Sequence, residues 1–143
     1  MLFRSLIDDA YNANADSMSA GLSALRDLAS AGGRAVAVLG EMAELGAEAP
    51  AAYRETGRRA AECGVGLLVT VGPAARQMAA SARAAGIARA EEFDSMEAAL
   101  RFLREELREG DWVLVKGSRV SGLDKMSEAL SLHFGGAAAR AAS

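Results

Sequence analysis

Apolar residues fall along the chain in two alternating patterns, short unbroken runs and longer stretches with helical spacing. The unbroken runs are Ala35-Val36-Ala37-Val38-Leu39-Gly40, Leu67-Leu68-Val69-Thr70-Val71-Gly72 and Trp112-Val113-Leu114-Val115-Lys116. Runs this short and continuous, bounded by glycine, predict strands buried on both faces. Weaker strands are predicted from Phe3 to Asp9, ending in two acids, and from Ala90 to Phe93. Met18, Leu22, Leu25 and Leu28 recur at the interval of one helix face. Asp16 or Ser17 is the expected cap of that helix, because a short side-chain oxygen accepts from the free N–H groups of a first turn. Gly32-Gly33 closes it with residues that tolerate positive φ. Further helices are expected from Ala51 to Cys63, from Pro73 to Ala85 and from Leu123 to His133. Another runs from a cap at Asp94 or Ser95 through Leu107, with Glu97 placed as the acid of a capping box.

Regular alternation of strand and helix predicts an α/β fold. The expected form is Rossmann-like and doubly wound, a mostly parallel sheet of about five or six strands with helices on both faces. The 143 residues fit one such domain over 1–134, with 135–143 expected as a flexible Ala/Gly-rich tail. Ligands of such sheets bind beyond the carboxyl ends of the strands. The loops expected there are 8–17, 40–48 and 116–124, and the polar chemistry of the chain is concentrated in them.

Charge and composition narrow the function classes. The formal net charge is −3, so no basic field exists to draw nucleic acid or an anionic membrane, and neither is an expected partner. Cys63 is the single cysteine, which excludes an internal disulfide and fits a reducing cytoplasm. Arg4 follows too soon after Met1 for a signal peptide, and no apolar run approaches the ~20 residues of a membrane span. A cytoplasmic location is expected. No cluster has metal-ligand spacing, and no nucleophile, histidine and acid combine. His133 is given no role.

Three rim segments carry candidate chemistry. Asp8-Asp9-Ala10-Tyr11-Asn12-Ala13-Asn14 sets two acids at a strand end, where neither can enter a core cheaply. One acid can accept hydrogen bonds from a ribose diol, Tyr11 offers a flat face, and Asn12 and Asn14 add neutral donors and acceptors. The plainer alternative is that Asp9 and Asn14 only stabilise a turn and cap a helix. Lys116-Gly117-Ser118-Arg119 presents two cations and a hydroxyl on permissive backbone, which suits a carboxylate or phosphate, or is a solvated basic turn. It lacks the order of a P-loop. Gly40-Glu41-Met42-Ala43-Glu44-Leu45-Gly46 can help hold a cation or an ammonium group, or is a hydrated loop.

Taken together and in order, these segments resemble the C-terminal domain of the Mur ligases. The string from Ile7 to Asn14 followed by Asp16-Ser17-Met18, the segment Val38 to Gly46, and Val113 to Arg119 resemble the D-alanyl-D-alanine-adding branch. The likeness extends from about Leu6 to about Leu130. It departs from that branch at Ala15, where proline is usual, and at Glu41, where aspartate is usual. It departs again at Tyr53, near which histidine is common, and at Val120-Ser121-Gly122, where Gly-Met-Arg is usual.

The resemblance implies a domain of a three-domain ligase of bacterial peptidoglycan precursor synthesis. ATP and Mg2+ would serve the full-length enzyme, with D-Ala-D-Ala and UDP-N-acetylmuramoyl-tripeptide as substrates and the N-terminal and central domains as partners. It places Asp9, with Asp8 as alternative, on the ATP ribose, and Tyr11, Asn12 and Asn14 near the nucleotide. Lys116, Ser118, Arg119 and Glu41 would face the substrate. It implies no catalysis, bound metal or required cofactor in the isolated domain. The alternatives are another Mur-type ligase or folylpolyglutamate synthase, a free-standing Rossmann-like binding domain, and a purely structural module. A free-standing flavodoxin-like domain would carry a glycine-rich phosphate loop after its first strand, where this chain has two acids.

Overall fold

The computed structural model describes residues 5–8, 13–118, 122–134 and 138–140. The sheet is built from β1 (Ser5–Asp8), β2 (Ala35–Leu39), β3 (Leu67–Val71), β4 (Ala90–Phe93), β5 (Trp112–Lys116) and β6 (Ala138–Arg140). All neighbours pair in parallel, in the order β4-β3-β2-β5-β1-β6. The helices are α1 (Ala15–Ala29), α2 (Ala49–Glu62), α3 (Arg76–Ala84), α4 (Met96–Glu106) and α5 (Leu123–Phe134). The doubly wound parallel sheet expected from the sequence is thus the fold.

Period-2 alternation along the buried strands divides the core into two layers. Ala35, Ala37 and Leu39 of β2, with Leu68 and Leu114, pack beneath α1, α2 and α3 through Leu22, Leu25, Ala60 and Met78. Val36, Val38, Val69, Val113 and Val115 face the other way, against Leu103 and Leu107 and against Met126 and Leu130 of α5. Two apolar faces explain why these strands read as unbroken apolar runs.

Several boundaries differ from the sequence reading, each for a local reason. The cap of α1 is Asn14, not Asp16 or Ser17. Its Oδ1 accepts from the Ser17 amide at 2.8 Å, while Ser17 Oγ accepts from the Asn14 amide at 3.0 Å. Ser17 therefore completes a reciprocal capping box from the third helical position. Ser95 caps α4 by accepting from the Ala98 amide at 3.2 Å, which leaves Glu97 one residue short of the capping-box position. A 3-10 turn, Gly46–Glu48, leads into α2, which begins at Ala49 rather than Ala51. Residues 73–75 form a turn, and α3 proper begins at Arg76. The last strand, β6, falls inside the stretch expected as a tail and pairs Leu6, Ile7 and Asp8 with Ala138, Ala139 and Arg140.

Candidate functional site

The strand order brings the three candidate loops to one place. β5 lies between β2 and β1, with Leu39 in register with Lys116 and Asp8 in register with Val115. The loops after Asp8, Leu39 and Lys116 therefore leave three adjacent strands at the same carboxyl edge. In sequence these segments are far apart, and the winding of the sheet alone makes them neighbours.

Lys116 is fully buried along its length. Its stem passes under α1 at Gly21, where an added Cβ would stand 3.4 Å from Lys116 Cδ and 3.3 Å from Leu114 Cδ2. A residue with no side chain lets α1 lie close to β5 and leaves a channel for the lysine stem. Ser118, also buried, is reached through its backbone, since its amide donates to the Glu41 carbonyl at 2.9 Å. One strand position earlier, the Gly40 amide donates to the Lys116 carbonyl at 2.8 Å. These two bonds extend the β2–β5 ladder past the end of the sheet and fix the Lys116-Gly117-Ser118 backbone against residues 40–41.

Glu41 does more than line the rim. Its Oε2 accepts from the Ala74 amide at 2.8 Å, in the turn that starts α3. An anionic acceptor at a helix start is favourable both as a hydrogen bond and against the helix dipole. The carboxylate crosses the backbone at Gly72, whose φ is +104° and where a Cβ would lie 2.8 Å from Glu41 Cγ. Next to it, Met42 donates its amide to Tyr53 Oη at 2.9 Å, and the tyrosine hydroxyl donates onward to the Met42 carbonyl at 3.4 Å. Burial pushes the Tyr53 phenol up from its ordinary value. The Met42 amide opposes that shift and the Glu41 charge adds to it.

Of the residues expected to carry chemistry, the structure brings Glu41, Lys116 and Ser118 together through the backbone bonds between residues 40–41 and 116–118. Asn14 sits at the start of α1 with its side-chain oxygen engaged in the cap. Asp8 is the last residue of β1, at the same edge. Asp9, Tyr11, Asn12 and Arg119 lie outside the described residues. Among the described residues no group of three His, Cys, Asp or Glu is placed to hold a metal ion. No helix among them is long and apolar enough to cross a membrane.

Sequence reasoning missed Tyr53 and Ala74. The signal for Tyr53 was its place on the buried face of a predicted helix just after a rim loop, since a buried tyrosine hydroxyl needs a partner. Nothing local marked Ala74, whose contribution is a backbone amide. At the opposite end of the sheet a hollow of about 220 Å³ is lined by Arg26, Ser30, Gly33, Cys63 and Gly64. Cys63 is buried beside it.

The chain matches the family model described as Mur ligase, glutamate ligase domain, over residues 4–119. It is 44% identical to the UDP-N-acetylmuramoyl-tripeptide--D-alanyl-D-alanine ligase of Mycobacterium tuberculosis over 87% of this chain and 28% of that protein. It is 37% identical to the Escherichia coli protein of the same name, over 87% of this chain and 26% of that one. The chain thus spans little more than a quarter of the length of these relatives. Among solved structures, the MurF ligase of Thermotoga maritima, in complex with ADP, superposes with a TM-score of 0.76 at 22% identity, over 94% of this chain and 30% of that one. A MurF of Acinetobacter baumannii superposes with a TM-score of 0.73 at 28% identity, covering 85% and 27%.

Proposed function

The chain belongs to the Mur ligase family, through its glutamate ligase domain, and from that premise we propose that it is the C-terminal domain of a D-alanyl-D-alanine-adding ligase of bacterial peptidoglycan precursor synthesis. The observation that carries this reading is the convergence of three family-like segments on the adjacent strand ends of β1, β5 and β2. The names of the relatives that match across 87% of the chain support the same branch.

In this reading ATP phosphorylates the terminal carboxylate of UDP-N-acetylmuramoyl-tripeptide, releasing ADP. The amine of D-Ala-D-Ala attacks the acyl carbon and loses a proton, the C–N bond of the amide forms, and the acyl C–O bond to phosphate breaks, its electron pair leaving with phosphate. Mg2+ would neutralise phosphate charge when bound, on groups supplied by the other domains. This chain's part is orientation. Arg119 and the backbone of the Lys116–Ser118 segment would hold the dipeptide carboxylate or the acyl-phosphate region, with the buried Lys116 and Ser118 side chains anchoring that segment, and keep the amine aimed at the acyl carbon. Asp9, or Asp8 at the end of β1, would accept from the ribose diol, with Tyr11, Asn12 and Asn14 alongside. Nucleotide and dipeptide would then meet at one edge, on loops held by the sheet, and the N-terminal and central domains would supply the rest. The isolated chain would catalyse nothing, and a cytoplasmic site of action fits its substrates.

The test is a chimera in which this chain replaces the matching region of the Mycobacterium tuberculosis relative. Phosphate release should require ATP, the muramyl tripeptide and D-Ala-D-Ala, and single amino acids should not substitute. Asp9→Ala should raise the KM for ATP several-fold, roughly the loss of one or two hydrogen bonds. A chimera that accepts a single amino acid as well as the dipeptide would move the chain to another branch.

A further inference from the structure

Resting on that reading, we propose that Glu41 is a positioning residue rather than a substrate ligand: its carboxylate pins the β2 exit loop to the start of α3, and through that loop it sets the Lys116–Ser118 backbone that meets the dipeptide. Five bonds converge on three consecutive residues. Gly40 donates to the Lys116 carbonyl, the Glu41 carbonyl accepts from Ser118, Glu41 Oε2 accepts from Ala74, Met42 donates to Tyr53 Oη, and the Met42 carbonyl accepts from the Tyr53 hydroxyl. Residues 40–42 thereby join β5, α3 and α2 at the carboxyl edge. Four of the five bonds to the segment use its backbone groups. The Ala74 bond alone depends on what side chain stands at position 41.

The geometry is specific to a carboxylate or amide of this length. Gly72, at φ +104°, leaves no Cβ where Glu41 Cγ and Cδ pass, at 2.8 and 2.9 Å from that empty position. The carboxylate thus crosses over bare backbone to reach the Ala74 amide. One oxygen, Oε2, accepts from that amide at 2.8 Å, in the turn that leads into α3. The influence of Glu41 on a ligand at the Lys116 loop passes through its own carbonyl and the Ser118 amide.

Two variants test this, with two readouts. Hydrogen exchange in this chain comes first. Glu41→Ala should speed exchange at the Ala74 amide roughly ten-fold or more and also at Ser118, while Glu41→Gln, which keeps a carbonyl oxygen as acceptor, should stay near the parent rate at both. Unchanged exchange at Ala74 and Ser118 in Glu41→Ala would overturn the latch itself. The second readout uses the chimera described above. Glu41→Ala should raise the KM for D-Ala-D-Ala several-fold more than the KM for ATP, and Glu41→Gln should restore it. A variant that merely destabilised the fold would lower the active fraction and kcat, leaving both KM values where they were. Faster exchange together with an unmoved dipeptide KM would overturn the positioning role while leaving the ligase reading intact. A parent chimera with no dipeptide-dependent activity would overturn the ligase reading, and the positioning role with it.

Discussion

Tyr53 shows how one side chain serves both stability and the rim. It is only 3% exposed, and its hydroxyl holds the backbone of Met42, the residue after Glu41. Phenylalanine would fill the same volume and strand the Met42 amide, so Tyr53→Phe should cost about 1–2 kcal/mol, read by denaturant unfolding near neutral pH. The same group predicts an alkaline limit. Burial raises the folded-state pKa above the unfolded value, so the neutral phenol is favoured by folding. Its contribution is fully present below the unfolded value of about 10 and is lost as pH rises through the folded one. In Tyr53→Phe that portion of the alkaline decline in stability should vanish. An identical decline in both proteins would assign it to other groups.

At the residue scale the sequence was readable wherever chemistry is local. Lys116 and Ser118 were singled out from their own tetrapeptide, and both stand at the carboxyl edge. Asn14 was singled out as well, with two readings left open. Its local role is the cap, since its Oδ1 accepts from the Ser17 amide. What could not be read was partnership across distance. Arg34 donates to Asp111 Oδ2 at 2.7 Å across 77 positions, and it meets Glu106 at 3.4 Å. No spacing rule connects such residues. They meet because β2 and β5 are neighbours, with the Trp112 amide donating to the Arg34 carbonyl at 2.8 Å.

At the scale of elements, the contact between α2 and α3 is set by a glycine inside a helix. A Cβ on Gly57 would lie 2.2 Å from the Met78 carbonyl oxygen and 3.0 Å from its Cα, which are backbone atoms that cannot rotate away. Alanine is the better helix former by roughly 0.5–1 kcal/mol. That gain is smaller than the cost of forcing two packed helices apart, about 1–3 kcal/mol for overpacking. Gly57→Ala should therefore destabilise the chain, as measured by its thermal midpoint. A higher midpoint would mean that the helices can separate freely. The sequence marked α2 as a helix in spite of this glycine, since the apolar face carries the signal. It gave no reason for the glycine, because the reason lies on another helix. Helix starts were the least legible feature, and each error lay within a turn. Asn14 and Ser17 are both good capping residues by type, and which of them caps depends on where β1 delivers the chain.

For the whole molecule, parallel winding converts three distant segments into one edge. The order of strands was not predicted from the sequence, yet the carboxyl-end rule located the rim without it. That rule works because every parallel strand exits on the same side, whatever its neighbours. It could not say that β5 would lie between β2 and β1, which is what places Lys116 beside both other loops. β6 escaped because alanine and glycine carry little strand signal, and its three residues are held by pairing with β1. The central claim is thus a claim about one face. Hydrogen–deuterium exchange on the active chimera, with and without ADP, Mg2+ and D-Ala-D-Ala, tests it directly. Protection should concentrate in peptides covering 8–17, 40–46 and 116–124. Protection absent there and centred instead on the hollow around Arg26, Gly33 and Cys63 would contradict it, because that hollow lies at the other end of the strands.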